Sequence, residues 1–494
     1  MSQKLPNIIF IVMDTMGAKH MSLYGYPRRT TPHLERLAEA STVYSRCFAP
    51  ACWTTPSHAS MFTGLYPAQH GAYEGRYLVY DNIQHLVPAL SSVGYRTYGI
   101  SSNYLVAPAS GMCQGFEHFV DFGPGFLNLF GTHNGAAADN EFSLRLAEQN
   151  IPNMKDKIRS AFNYLRETGR YRDLLQKALL SFKLRTLEFL ETSFKLSPVS
   201  YSARYTEKTV KLYQEILKKH CSQNDRPFFI FMNFLEPHQF YYPPTKYRQF
   251  SKKEDKQKQR ISSFYYLKDK TYVSDQMEVY RKLYDDELYY VDSVINRLWV
   301  SLKESPLFDD TIFIITSDHG EHFGEKGHFG HELSLYNDLI WVPLLIKFPG
   351  DLVKHGVDDR LVSLNDLYST ILDLADSPLP RPFTSKSLLD QEHREVVLSQ
   401  IVNPDIWRGS LQSKRETHPK GVGFSPPVIC AINSKGLKLI ENKDSSLEAY
   451  DLLRDPEEHH DLTSDLPHDA LEGMKYFMGI QKEESGFLDV PCSN

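Results

Sequence analysis

The sequence predicts a large α/β fold, with a doubly wound, mostly parallel central sheet flanked by helices. Four apolar runs, which start at Ile8, Pro227, Thr311 and Val342, are rich in β-branched residues and indicate strands buried on both faces. Strands that alternate with helices are typical of this fold class. Segments of helical periodicity separate or follow the runs, at residues 31–40, 205–219, 280–302 and 364–375.

Composition and spacing predict three parts of the chain. The 494 residues carry a formal net charge of −6 and are 41% hydrophobic, which excludes a disordered chain and disfavours a nucleic-acid-binding protein. Residues 1–121 and 201–400 are expected to form the catalytic α/β domain, and 122–200 a helical insertion. Residues 401–494 contain short apolar runs, which predict a C-terminal subdomain with a small antiparallel sheet and a terminal helix.

Cysteine usage and hydropathy suggest a cytoplasmic protein. The six cysteines are scattered and form no C-x-x-C pair, so we expect reduced thiols rather than a disulfide framework. No stretch approaches the about 20 apolar residues that a membrane-spanning helix needs. The sequence leaves homo-oligomerisation open.

Polar residues follow the predicted strands where those strands end. Asp14 follows the first strand, His238 follows the second after a short turn, and Asp318 and His319 follow the third. Ligands of doubly wound sheets bind beyond the carboxyl ends of the strands. Asp14 alone could cap a helix, but together with Asp318 it favours a shared metal ion. An Asp–His donor set suits Mn²⁺ or Zn²⁺ better than Ca²⁺, and Gly320 is expected to ease the bend that turns both side chains to one ion.

The segment Trp53–Gly64 contains a candidate nucleophile. Thr54 and Pro56 mark the start of a helix, and a helix N-terminus presents free N–H groups that can hold a tetrahedral oxyanion. A hydroxyl at this place becomes a nucleophile when a metal ion lowers its pKa.

Taken in order, these motifs resemble the sulfatase branch of the alkaline phosphatase superfamily. The resemblance covers most of the chain outside 122–200 and 245–275. It is carried by Asp14–Thr15, Leu23–Tyr26, Thr31–Leu34, Thr54–His58, Met61–Pro67, Gly94–Gly99, Glu236–His238, Asp318–Gly327, Val342–Ile346 and Tyr450–Glu457.

The chain departs from the family pattern at the residues that determine the chemistry. Thr54 stands where sulfatases have the Cys that becomes formylglycine, and His58 stands where they have Arg. Thr15 replaces a second Asp, and Cys52 lies two residues early and outside the motif. Threonine is the nucleophile of several phosphate-transferring relatives. The resemblance therefore implies one divalent ion bound by Asp14, Thr54, Asp318 and His319, with Mn²⁺ or Zn²⁺ favoured and Ca²⁺ or Mg²⁺ as alternatives.

The remaining site predictions concern proton transfer and substrate binding. The resemblance implies that His238 or His331 acts as the general acid, and we expect His58, Asn103 and His328 to contact substrate. A second metal site built from two or three histidines of the segment 322–331 is a less favoured alternative.

We expect a metal-dependent hydrolase of a small anionic ester. Its substrate would be a phosphate monoester, a phosphodiester or a phosphonate ester, attacked by Thr54. Sulfate ester hydrolysis is the first alternative. It is less favoured than phosphorus ester hydrolysis because a threonyl sulfate lacks the route by which formylglycine expels sulfate. Phospho-group transfer to an alcohol is the second. An inactive protein that binds an anionic partner is the alternative of another class.

Overall fold

The structure of the protein, a computed structural model, describes residues 5–122, 201–255, 273–407, 425–467 and 472–479, apart from 75, 104, 108–110, 113, 224–225, 240, 253, 332, 351 and 477. The predicted helical insertion lies outside the described residues, as do Cys113 and Cys492.

The described strands form one large sheet and two small ones. Their bounds are β1 Asn7–Met13, β2 Thr42–Phe48, β3 Arg96–Ser101, β4 His118–Asp121, β5 Phe228–Phe234, β6 Thr311–Ser317, β7 His322–Phe323, β8 Phe329–Gly330, β9 Leu344–Lys347, β10 Gly356–Ser363, β11 Val396–Gln400, β12 Pro427–Asn433, β13 Leu437–Asn442 and β14 Leu447–Asp451.

The described α-helices lie mainly between these strands. Their bounds are α1 Pro32–Leu37, α2 Thr54–Thr63, α3 Pro67–His70, α4 Leu86–Ser92, α5 Tyr201–Gln223, α6 Val273–Lys303, α7 Asn337–Ile340 and α8 Asp366–Leu374.

The large sheet confirms the predicted fold class. Its order is β10-β2-β9-β6-β1-β5-β3-β4, and β1 pairs in parallel with β5 on one side and β6 on the other. Strand β9 is buried as expected but runs antiparallel to both neighbours, β2 and β6. The apolar run at Val342 predicted burial on both faces, and burial does not determine strand direction.

Each face of the sheet is covered by helices and has its own hydrophobic core. Residues of β1 alternate between the two cores: Ile9 packs on the side of α5 and α6, and Phe10 on the side of α2 and α8. Since both faces of β1 are buried, its carboxyl end lies inside the protein. Asp14, which follows this end, has no exposed surface.

The C-terminal region contains the predicted antiparallel sheet, in the order β11-β12-β13-β14. Lys438 of this sheet is completely buried and forms an ion pair with Glu458, also completely buried, at 2.6 Å. No helix in the described ranges combines the length and the apolar character that crossing a bilayer requires. The cytoplasmic location stays a prediction.

Candidate active site

The predicted metal ligands meet at the carboxyl ends of β1 and β6, which are neighbouring strands. One ligand atom each of Asp14, Asp318 and His319 lies within 4.8 Å of the others, and all three residues are completely buried. Thr54, the first residue of α2, places its Oγ1 3.5 Å from His319 Nε2. We call these four residues the cradle. Their convergence agrees with the sequence analysis, and their roles as ligands stay a prediction.

The His319 ring is held in the form that binds metals. Its Nδ1–H donates to the carbonyl of Gly320 at 3.0 Å, which leaves the lone pair of Nε2 on the side of the carboxylates. Nε2 lies 3.5 Å from Asp318 Oδ2 and 3.8 Å from Asp14 Oδ1. Burial lowers the pKa of His319 to about 4, so the imidazole is neutral near pH 7.

Each carboxylate of the cradle has one oxygen anchored and one without a hydrogen bond among the described residues. Asp318 Oδ1 accepts from the backbone N–H of Thr15 at 3.1 Å and of His319 at 2.9 Å. Asp14 Oδ2 accepts from the amide of Asn103. Asp318 Oδ2 and Asp14 Oδ1 are buried without a hydrogen-bond partner. Two such oxygens and an imidazole lone pair are a donor set that fits a divalent cation.

The backbone around the cradle is tightly constrained. Thr15 has φ 59°, in the left-handed region, which costs a β-branched residue about 1–3 kcal/mol. The bond from its N–H to Asp318 and the Tyr284 hydroxyl, which donates to its carbonyl at 2.6 Å, hold it there. A Cβ on Gly320 would lie 2.1 Å from the carbonyl oxygen of Asp338. Gly320 is therefore required for close backbone approach, and its φ lies outside the left-handed region that a sharp bend would use.

Helix α2 presents its N-terminus to the cradle. The Ser57 hydroxyl donates to the carbonyl of Asp318 at 2.7 Å and joins the helix to the end of β6. The first N–H groups of a helix have no partner within it, and here they lie beside Thr54. The start of a helix at Thr54 is confirmed, and anion binding by its N–H groups stays a prediction.

His58 holds the backbone of Thr54 through a hydrogen bond. Its Nδ1–H donates to the carbonyl of Thr54 at 2.9 Å, and its Nε2 accepts from the amide of Asn233 at 3.1 Å. Burial lowers its pKa, so the ring is neutral although Nδ1 lies 3.6 Å from Asp318 Oδ2. The predicted contact of His58 with substrate stays a prediction, and its described hydrogen bonds are made within the protein.

The two predicted general acids lie next to the cradle. The His331 ring centre is 4.8 Å from that of His319 and 5.0 Å from that of His238. His331 Nδ1–H donates to Glu321 Oε1 at 3.0 Å, and the role of His331 in proton transfer stays a prediction. Glu321 is fully buried, which raises its pKa, but His331, His238 and His319 together outweigh burial and lower the pKa below its usual value. The sequence analysis missed Glu321, although it stands in the same tetrapeptide as Asp318 and His319.

The other two predicted substrate contacts differ in position. Asn103 reaches the cradle, where its amide donates to Asp14. His328 lies in the turn of the β7–β8 hairpin, where its ring stacks on that of His322 at 5.0 Å and packs against Tyr336 at 5.7 Å. Contact of either residue with substrate stays a prediction.

A doubly wound fold with candidate metal ligands at its strand ends is compatible with an ester hydrolase, and the comparisons with known proteins place the chain in that class. The sulfatase family model matches residues 6–377, and the model of the N-sulphoglucosamine sulphohydrolase C-terminal region matches 324–476. The chain therefore belongs to the sulfatase family.

Relatives and solved structures match along nearly the whole chain. Uncharacterized sulfatase YidJ of Escherichia coli is 24% identical over 95% of this chain and 86% of its own length. The N-acetylglucosamine-6-O-sulfatase of Bacteroides thetaiotaomicron is 25% identical over 93% and 83%. The phosphonate monoester hydrolase of Agrobacterium radiobacter superposes with a TM-score of 0.65 at 17% identity, over 97% of this chain and 96% of that one, which shows a shared fold.

Proposed function

We propose that this protein hydrolyses a phosphate monoester, a phosphodiester or a phosphonate ester, with Thr54 as the nucleophile. The observation that carries the proposal is the position of Thr54 Oγ1, 3.5 Å from His319 Nε2 and at the first position of α2. The same Nε2 lies 3.8 Å from Asp14 Oδ1 and 3.5 Å from Asp318 Oδ2, the two carboxylate oxygens that lack a hydrogen-bond partner among the described residues.

The cradle residues would hold one divalent cation. When bound, it supplies Lewis acidity that lowers the pKa of a nearby hydroxyl and offsets charge on the ester oxygens. Mn²⁺ and Zn²⁺ suit the mixed oxygen and nitrogen donors best.

The chain's own residues account for the rest of the reaction. The Thr54 hydroxyl gives its proton to solvent, and Thr54 Oγ forms a bond to phosphorus while the bond to the leaving oxygen breaks. The N–H groups at the start of α2 bind the nonbridging oxygens. His331, oriented by Glu321, donates a proton from Nε2 to the departing oxygen. The same imidazole then takes a proton from a water that attacks phosphorus, the bond between phosphorus and Thr54 Oγ breaks, and Oγ takes up a proton from solvent. His58 and Asn233 keep Thr54 in place through the bonds described above.

Sulfate ester hydrolysis is the second candidate, because the names of the relatives favour it. N-acetylglucosamine-6-O-sulfatase is among them. The presence of Thr54 in place of the family's cysteine favours a phosphorus ester instead. A threonyl sulfate has no geminal hydroxyl through which to expel sulfate, so water would have to hydrolyse it directly.

A substrate panel tests the proposal. Chelator-treated protein is reloaded with Mn²⁺ or Zn²⁺ and assayed with an aryl phosphate, a bis-aryl phosphate, an aryl phosphonate monoester and an aryl sulfate. We expect turnover on a phosphorus ester, abolished by Thr54→Ala and retained in part by Thr54→Ser. Thr463→Ala, in the C-terminal region, is the matched control and should behave as wild type.

Three results would overturn the proposal. The first is an aryl sulfate as the sole substrate. The second is equal activity of wild type and Thr54→Ala. The third is a peptide mass that shows formylglycine at Cys52, since a different nucleophile would then be present. Adding glycerol to the assay separates transfer from hydrolysis, because a transferase would release the aryl group while forming a glycerol ester.

A further inference from the structure

A second group of potential metal ligands lies outside the cradle. His322 begins β7, Glu325 stands in the β7–β8 turn, and Asp338 belongs to α7. One ligand atom of each lies within 4.8 Å of the others. We call these three residues the hairpin site.

His322 directs an unsatisfied nitrogen into this site. The side chain is completely buried, and its Nε2 forms a hydrogen bond with the Ser334 hydroxyl at 2.9 Å. Its Nδ1 has no hydrogen-bond partner among the described residues. Nδ1 lies 3.8 Å from Glu325 Oε2 and 3.8 Å from Asp338 Oδ2, which is too long for a hydrogen bond to either.

This spacing suits an ion between the three atoms. Nitrogen and oxygen ligands lie about 2.0–2.2 Å from Zn²⁺, so two ligands of a tetrahedral ion are about 3.4 Å apart. The observed separations of 3.8 Å need to contract by a few tenths of an ångström to reach that value.

The other carboxylate oxygens are held by basic side chains. Lys19 Nζ lies 2.6 Å from Asp338 Oδ1, and Arg281 Nη2 lies 2.8 Å from Glu325 Oε1. These contacts, together with the backbone N–H of Phe323, which donates to Glu325 Oε2, orient each carboxylate so that its second oxygen lies near His322 Nδ1. Lys19 and Arg281 also lower the negative charge of the group, so the cation affinity should be below that of the cradle.

We propose that His322 Nδ1, Glu325 Oε2 and Asp338 Oδ2 bind a second divalent cation, of the Zn²⁺ or Mn²⁺ class, with a structural role. The cation joins the β7–β8 hairpin to α7. The segment between β6 and β8 contains His319 and Glu321. A cation at the hairpin site would therefore hold this segment, with its active-site residues, against α7.

Metal stoichiometry tests the proposal independently of turnover. Chelator-treated wild type is titrated with Co²⁺, whose visible absorption reports nitrogen and oxygen coordination, and metal content is measured after reloading with Zn²⁺. We expect two equivalents per chain in wild type and one in His322→Gln. The background variant Asp14→Asn/Asp318→Asn should keep one equivalent, and His322→Gln in that background should remove it.

Controls separate ion binding from folding. Glu325→Gln, at a partly exposed position, should weaken the second equivalent at least tenfold while near-ultraviolet circular dichroism stays that of wild type. His118→Gln, on the edge strand β4, should keep two equivalents. One equivalent in wild type, unchanged by His322→Gln, would overturn the proposal. Nitrogen chemical shifts that show a doubly protonated His322 in Zn²⁺-loaded protein would do so too, because they would identify an ion pair instead.

Discussion

Completely buried carboxylates occur both in the cradle and in the C-terminal region, and the two places balance their charge differently. Glu458 lies 2.6 Å from the ammonium of Lys438, and both side chains are inaccessible to solvent. Among the described residues, no lysine or arginine forms an ion pair with Asp14 or Asp318. Backbone N–H groups donate hydrogen bonds to Asp318, and the Asn103 amide donates one to Asp14. The neutral imidazoles of His58 and His319 lie 3.6 Å from Asp318 and 3.8 Å from Asp14, respectively.

The difference separates a buried charge that is balanced within the chain from buried charge that a bound cation would balance. A buried charge is costly unless it is paired, so the C-terminal pair is complete within the chain. The cradle holds two acidic groups with no internal countercharge, and burial, followed by the charge of Asp318, raises the pKa of Asp14 well above its usual value. A bound divalent cation would remove that penalty.

The largest expected effect comes from removing a carboxylate of the cradle. Asp318→Asn should lower kcat/KM on the preferred ester by roughly 10³-fold or more, because metal binding and activation of the nucleophile fail together. Metal content and steady-state kinetics measure it. Asp373→Asn, on the partly exposed face of α8, is the matched control. Unchanged kcat/KM in Asp318→Asn would show that the cradle does not bind the ion.

Breaking the C-terminal pair should act on stability instead. Lys438→Met leaves Glu458 buried without its countercharge, which should cost about 3–5 kcal/mol in the free energy of unfolding. Urea denaturation measures it. The double variant Lys438→Met/Glu458→Gln should recover most of the loss, and both should bind metal at the cradle as wild type does. Equal stability of Lys438→Met and wild type would contradict the comparison.

Removing the support of a ligand should have a smaller effect than removing the ligand. Asn103 donates to Asp14, and loss of such a partner weakens metal binding about 10–100-fold. Asn103→Ala should therefore raise the metal dissociation constant by that factor, measured by competition with a chelating dye. Asn296→Ala, on α6, is the control. Wild-type affinity in Asn103→Ala would mean that the backbone alone positions Asp14.

The smallest expected effect is a pH dependence of the metal-free protein. The folded-state pKa of Asp14 is raised, so the folded protein binds this proton more tightly than the unfolded chain, whose pKa is about 3.9. The stability of chelated protein should therefore fall as pH rises from that value through the folded-state pKa. Added Mn²⁺ should raise Tm more at pH 7.5 than at pH 5, by on the order of a few degrees. An equal rise at both pH values would contradict this.

The sequence predicted the positions of the polar residues at the strand ends better than the direction and packing of the other elements. Uninterrupted apolar runs located β1 and β6, and because neighbouring parallel strands end at one edge, Asp14 and Asp318 were expected to meet. The direction of β9 was not predictable, since a strand buried on both faces has the same pattern in either orientation. The hydrogen bond from Asn233 to His58 depends on the registration of β5 against α2, which local sequence does not encode.

The role of Gly320 differs from its prediction for a related reason. A glycine after Asp-His suggests a bend in the backbone. In the structure, Gly320 is required because its backbone lies close to the carbonyl of Asp338, 18 positions later in the chain. Contacts of that separation are decided by the packing of α7 against the loop and have no local pattern.

The contact at Gly320 also limits how this enzyme can be re-engineered. There is no room for even a methyl group between Gly320 and the carbonyl of Asp338. Contact between the backbones of these two residues therefore sets the spacing between His319 and α7. Laboratory selection for new substrates should therefore accumulate changes in the peripheral loops and leave this position untouched. Libraries that randomise it would consist largely of inactive clones.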